Sequence, residues 1–437
     1  MRRPRAVLLS GSLGLGHEML VRSCATPLEQ SGWLVESLDC MRLLGRRCGS
    51  AGQSLFTRTV RALPGAYDAL HFAHLRTGSR LAVAIDNSAS ARLVPVLREL
   101  FARKPPDLVL SVFATGASAA AKLRTTGELQ APVVVLCTDV TLHRLWVQAG
   151  TDLFLATSQA AAASVLRYLP YAEVAVVPPP VRPAFYQAPS KEKARAELGL
   201  PRDAACALVI DSGWGFGPLD MQVAALARAG IHVLAVAGRQ QEVERRFRGL
   251  AAVDDHVLPF GFVDDVPLLM AASDLVVALP GATTCSEARV VGRPILLLDS
   301  MPGHGRENLV HELELGRARV AGPTPQDLAE AAAAFLGASG GEDPHEQAER
   351  WEPGFVAALA RVRIDLDPAN REGTATREAV PAGQRIRGLH PASNGGPPPG
   401  SPPPRTADTL MVTRSTNANL QTKEQELDGR TVATRTQ

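Results

Sequence analysis

The chain predicts an α/β fold of two Rossmann-like domains facing a cleft, with a disordered C-terminal tail. Three observations carry that prediction. Short apolar runs alternate with helical segments from Arg5 to Tyr168 and again from Cys206 to Leu298, the pattern of a parallel sheet covered on both faces. Pro178-Pro179-Pro180, followed by Pro183, interrupts the alternation as a stiff interdomain crossing would. The 437 residues suffice for two full cores.

Taken in order, Arg5–Ser10 reads as the first strand, His17–Gln30 as a helix and Trp33–Leu38 as the second strand. Strands are expected at Asp107–Val112, Val133–Thr138 and Asp152–Thr157, then a helix over Ala160–Tyr168. These elements make up a first domain of residues 1–180. In the second domain, residues 184–340, strands are expected at Cys206–Asp211, His232–Ala237, Val257–Phe260, Leu275–Leu279 and Ile295–Leu298. Helices are expected at Met221–Ala229 and Gln240–Leu250. Residues 341–366 hold a return helix, over Glu346–Leu366, that packs back on the core. Residues 367–437 are polar and irregular and include GGPPPGSPPPRT. Such a segment buries too little apolar surface to offset the entropy of ordering, and reads as a disordered tail.

Composition narrows the function. A net charge of +2 with 5% aromatic residues argues against nucleic acid as a partner. No uncharged apolar run reaches the roughly 18 residues of a spanning helix. The start, MRRPRAVLLSGS, reads as a strand rather than a signal peptide, which gives a cytoplasmic expectation. The six cysteines show neither CxxC nor Cys/His metal spacing and read as buried thiols.

Several loops follow strands and open helices. The first, Gly11 to His17, has the spacing G-x-x-G-x-G. That is not the dinucleotide fingerprint, and it has no P-loop lysine. His17 at a helix start is biased toward its neutral form; a local cap is the plainer alternative. Asp139 follows an apolar strand and so should lie in the cleft, or else cap a helix. Gly281-Ala282-Thr283-Thr284 offers backbone N–H groups and hydroxyls to a diphosphate without a cationic side chain. Glu287, one turn on, is placed to accept hydrogen bonds from ribose hydroxyls. Gly213 and Gly215 in SGWGFG allow close backbone approach to a ligand. Arg239 ends a strand, either to meet phosphate or base or to stay solvated. Leu55 to Arg80 mixes Arg58, Arg61, Arg76 and Arg80 with apolar residues. It suits an anionic membrane surface or an amphipathic helix on the core.

The run Pro280-Gly281-Ala282-Thr283-Thr284-Cys285-Ser286-Glu287-Ala288, then Pro302-Gly303-His304-Gly305-Arg306-Glu307-Asn308, resembles the signature of glycosyltransferase family 28. In the monogalactosyl- and glucosyl-diacylglycerol synthase branch that signature reads P-G-G-x-T-x-x-E-A, then P-G-Q-E-x-x-N. Ala282 also resembles the branch that makes the peptidoglycan lipid precursor with N-acetylglucosamine. His304 and Gly305 replace the Gln-Glu pair with which the family reads the sugar. Gly14, Gly16 and His17 are similar to its G-x-G-H element. Thr138 to Trp146 is similar to T-D-x-x-x-H-x-x-W. The likeness covers about residues 5 to 337.

The resemblance implies a GT-B-like fold and an inverting UDP-sugar-dependent hexosyltransferase. It would move a hexose or N-acetylhexosamine from a UDP-sugar to a diacylglycerol-like lipid hydroxyl. It would be peripheral on the inner face of the plasma membrane and need no cofactor or metal. His17 and Asp139 would be catalytic, Asp139 either as base or as orienter of His17. Gly14, Gly16, His143 and Trp146 would shape the acceptor side, Trp146 alternatively being core. Gly213, Gly215, Arg239 and Gly281 to Thr284 would face the donor phosphates, and Phe262 and Val263 the uracil. Glu287 would hold the ribose, and His304, Arg306 and Asn308 would line the sugar pocket. Two other readings stay open. One is a UDP-sugar 2-epimerase of the same architecture, although its acidic and Gly signature residues are missing around Thr283 to Glu287. The other is a non-catalytic nucleotide-sugar-binding protein, which the replaced Gln-Glu pair favours. A small hydrophobic metabolite as acceptor, the identity of the sugar and the oligomeric state also stay open.

Overall fold

The computed structural model describes residues 2–11, 15–45, 65, 69–210, 219–298, 303–316, 318–338, 349–364 and 366. The first sheet contains β1 (Arg5–Ser10), β2 (Leu34–Asp39), β3 (Leu108–Ser111), β4 (Val133–Cys137), β5 (Leu153–Ala156) and β6 (Val174–Val176). Its spatial order is β2-β1-β3-β4-β5-β6. The second contains β7 (Cys206–Ile210), β8 (His232–Val236), β9 (Val257–Phe260), β10 (Leu275–Ala278), β11 (Ile295–Leu298) and β12 (Ala318–Ala321), in the order β12-β11-β10-β7-β8-β9. Every pairing is parallel. The architecture is thus GT-B-like, with two Rossmann-like sheets.

Alternate residues of the central strands enter opposite cores. Ala6 and Leu8 pack with Leu108 and Leu110 on one face of the first sheet, and Val7 and Leu9 with Val109 on the other. Both faces are covered, so β4 reads VVVLC and is buried throughout. A half-exposed strand would have alternated in polarity.

One device recurs where strands begin. Asp107, Asp152 and Asp274 each stand one residue before β3, β5 and β10. Each carboxylate accepts the backbone N–H that opens or lies at the start of the neighbouring strand, from Arg5 (2.7 Å), Val133 (2.8 Å) and Cys206 (2.9 Å). Each also takes an arginine, namely Arg2, Arg124 and Arg195.

The strand orders place the site. Chain order reverses between β1 and β3 in the first sheet and between β7 and β10 in the second. Loops leaving such a switch point diverge and open a crevice beyond the carboxyl ends of the strands. The loop after β1 leads to His17, and the loop after β10 leads to Gly281.

Some elements differ from the sequence reading. A 24-residue helix, Arg80–Arg103, and the short strands β6 and β12 were not anticipated. Pro183 does more than interrupt the chain, for it opens the helix Pro183–Tyr186, where its missing N–H is not needed. The helix Trp351–Ala360 packs Trp351, Phe355 and Leu359 against Leu20, Cys24 and Leu28 of the first half. The Trp351 indole N–H donates to the Ser23 carbonyl at 2.9 Å. The tail from 367 lies outside the described residues.

Candidate active site

The first-half side of the cleft starts at the helix Leu15–Gln30, which carries His17 in its first turn. Gly11 before it packs on Phe113, since a Cβ there would come within 2.8 Å of that ring. The same ring meets His17 edge-on, with centroids 5.9 Å apart. Burial lowers the His17 pKa, while the charge of Asp139 and the Val112 carbonyl pull it partly back. The result is a neutral imidazole, and its Nδ1 is buried without a partner.

Asp139, just beyond β4, also acts on His143 and His304. Burial lowers the His143 pKa to about 4 and that of His304 in the same direction, with Asp139 opposing both. One carboxylate therefore acts on three partly buried imidazoles, two from the first half and one from the second. Trp146 is buried with Leu142, Phe154 and Val165, so it is part of the core that carries His143 and not an open wall.

The second-half side is built at the helix Ala282–Val290. No side chain caps its start at Gly281, so the first-turn N–H groups of Ala282, Thr283 and Thr284 are available to an anion. Thr283 lies against the first half, since a Cβ on Gly16 would stand 3.8 Å from Thr283 Oγ1. Glu287 is 6% exposed. Its carboxylate is 3.4 Å from Arg182, a residue of the crossing between the sheets. Burial raises the Glu287 pKa to about 7, and Arg182 only partly offsets it. Arg182 was not singled out in the sequence, and it places a cation beside a site expected to need none.

The second loop ends at Gly303, whose φ of 66° and ψ of −122° cap the helix His304–Glu314; side chains other than glycine are strained there. His304 and Asn308 turn inward, whereas Arg306 is exposed. Asn308 Nδ2 donates to the Pro280 carbonyl at 3.1 Å, and its Oδ1 accepts from Val140 N at 3.5 Å. Its amide thus ties the two halves together. Arg239 pairs with Glu18 at 3.3 Å and covers the Phe262 ring at 4.8 Å, so it too crosses the cleft. Val263 packs on the second-half core. Gly14, Gly213, Gly215, Arg58 and Arg61 lie outside the described residues.

His71 and Glu307 were given no role in the sequence reading, and Arg76 was read there as part of a basic stretch suited to a membrane surface or a core-packed helix. His71 reaches Glu307 at 3.1 Å, and Arg76 pairs with the same carboxylate. Burial alone would raise the Glu307 pKa, but hydrogen bonding from His71, with Thr141 and Arg76 beside it, holds it below the usual range.

Two family descriptions match this chain: "Monogalactosyldiacylglycerol (MGDG) synthase" over residues 76–181 and "Glycosyltransferase family 28 C-terminal domain" over residues 219–320. A probable chloroplastic monogalactosyldiacylglycerol synthase of Glycine max is 26% identical over 250 residues, covering 53% of this chain and 46% of that protein. The chain thus spans about half the length of the plant relatives it matches. A processive diacylglycerol beta-glucosyltransferase of Bacillus cytotoxicus is 21% identical over 338 residues, covering 73% of this chain and 82% of that protein. Among solved structures, a putative UDP-N-acetylglucosamine 2-epimerase from Listeria monocytogenes aligns with a TM-score of 0.53 at 15% identity, over 87% of this chain and 100% of that one. The calicheamicin glycosyltransferase CalG4 aligns with a TM-score of 0.53 at 16% identity, over 86% and 100%. These two share the fold. The two family matches lie in tandem, one on each half, and the chain resembles glycosyltransferase family 28 and is similar in sequence to the diacylglycerol glycosyltransferases.

Proposed function

We propose that the protein transfers a hexose or N-acetylhexosamine from a UDP-sugar to the hydroxyl of a diacylglycerol-like lipid, with inversion at the anomeric carbon. The observation that carries this reading is a partly buried, neutral His17 under the charge of Asp139, with its helix start against Thr283 at the uncapped helix Ala282–Val290. His17 takes the proton of the attacking hydroxyl, and Asp139 stabilises the imidazolium that forms. Backbone N–H groups of residues 282–284 receive the charge that develops on the leaving UDP. Glu287 exchanges Arg182 for the ribose hydroxyls, and His304 faces the sugar. Arg239 and Phe262 close the base end of the donor site, and Val263 sets the backbone beside it. No step in this scheme needs a metal.

The relatives are named for diacylglycerol, which supports a lipid acceptor. Arg80 begins a helix on which Leu81 and Ile85 are each 52% exposed, which supports attachment to the inner membrane surface. Among the described residues no helix is long and apolar enough to cross a membrane.

The test supplies UDP-glucose, UDP-galactose or UDP-N-acetylglucosamine with diacylglycerol liposomes, with and without a chelator. A glycolipid product, lost in His17→Ala and Glu287→Ala and unaffected by chelation, is the expected result. The fold is shared with a putative 2-epimerase, so epimerisation of UDP-N-acetylglucosamine without acceptor would replace this reading. UDP binding without turnover, unchanged in His17→Ala, would leave a binding protein.

A further inference from the structure

We propose that His71 and Arg76 form a clasp that closes the cleft by capturing Glu307, positioning the sugar end of the donor site against the acceptor side. This rests on the transferase reading and adds positioning residues to it. His71 opens a π turn, His71–Leu75, a form found mostly as single turns at functional sites. His71 Nε2 lies 3.1 Å from Glu307 Oε2, and Arg76 pairs with Oε1. Both oxygens of a second-half carboxylate are therefore held by the first half. The Tyr168 hydroxyl donates to the Arg76 carbonyl and fastens the turn to the first-half body.

The pair is nearly closed to water, with the His71 side chain 2% and the Glu307 side chain 9% exposed. A buried hydrogen-bonded pair adds little net stability, yet breaking it leaves a buried polar group without its partner, which is costly. Its value here is geometric. Glu307 lies one turn from His304 on the same helix. Capturing it sets the His304 ring 6.3 Å from His71, while the His143 ring stands 6.4 Å from His71. Imidazoles from both halves then surround the place where the anomeric carbon and the acceptor hydroxyl meet, and water is kept out. With the clasp open, His304 leaves with the second half and water reaches the donor.

The experiment compares wild type with Glu307→Gln, His71→Phe and His71→Gln in the full chain. It measures UDP affinity, lipid transfer and hydrolysis of UDP-glucose, UDP-galactose and UDP-N-acetylglucosamine, and amide exchange with and without donor. Glu307→Gln and His71→Phe are expected to lower the transfer kcat about tenfold or more, with UDP affinity changed by less than about twofold. The ratio of hydrolysis to transfer should rise in both. His71→Gln keeps a donor near Nε2 and should recover part of the loss. In wild type, exchange in residues 69–76 and 303–314 should slow together on adding donor, and in Glu307→Gln it should not. An unchanged hydrolysis-to-transfer ratio, or independent behaviour of the two segments, would overturn the clasp. A wild type that binds no UDP would defeat the transferase reading instead. The clasp would then stand only if Glu307→Gln loosened both segments together in the free protein.

Discussion

His17 and Glu287 show how burial alone can assign chemical roles. The His17 pKa is lowered from 6.5, mainly by loss of water, so the ring is neutral at pH 7 and able to accept a proton. The acid limb of kcat/KM should therefore lie below pH 6.5. Asp139→Asn removes the charge that supports the imidazolium, so it should move that limb further down while lowering the rate. A limb that moved up would break the His17–Asp139 pairing. Glu287 runs the other way. Its carboxyl is raised from 4.5 to about 7. The stability this contributes is fully present below pH 4.5 and is lost as pH rises through 7. Glu287→Gln should accordingly melt a few degrees above wild type at pH 8 and show no such gain at pH 5. Because ribose hydroxyls donate to the ionised form, wild-type UDP affinity should rise between pH 6 and 8. The variant should bind UDP weakly at every pH, as calorimetry would show.

At the scale of elements, the aspartates before β3, β5 and β10 repeat one solution in both sheets. They differ in cost. Arg195 is 3% exposed and Arg2 is 66% exposed. Asp274→Ala strands a buried guanidinium and should destabilise the chain by about 3 kcal/mol in urea titration. Asp107→Ala gives up a surface ion pair and one backbone partner, and should cost about 1–2 kcal/mol. The strands that these residues begin were legible because a strand buried on both faces leaves an unbroken apolar run, as in Val133–Cys137. The helix Arg80–Arg103 was not legible, because its inward face carries Asp86 and Ser90 while Leu81 and Ile85 face out. Asp86 is satisfied by Ser118 at 2.8 Å, a partner 32 positions away. The π turn at His71 has no 3.6-residue period to read.

Across the whole molecule, the positions of the candidate residues were legible where they follow strand ends. His17, Asp139 and Gly281 to Glu287 each follow a strand, and a strand end is visible in sequence. Their partners were not. Arg182 meets Glu287 across 105 residues, and His71 meets Glu307 across 236; only folding of both halves makes them neighbours. The same holds for Trp351 against Ser23, 328 residues apart. Trp351→Ala removes a fully buried ring and its hydrogen bond, and should cost about 3–5 kcal/mol. Differential unfolding of the two halves should assign that loss to the first.

The return of Trp351–Ala360 to the first sheet also bears on how the protein is made. An N-terminal domain ordinarily folds while the rest of the chain is still being synthesised. Here the face formed by Leu20, Cys24 and Leu28 must wait for residues translated after the entire second sheet. At about 5–20 residues per second that wait is on the order of ten seconds or more. Throughout it the nascent chain presents an uncovered apolar surface, a natural substrate for the chaperones that attend the ribosome.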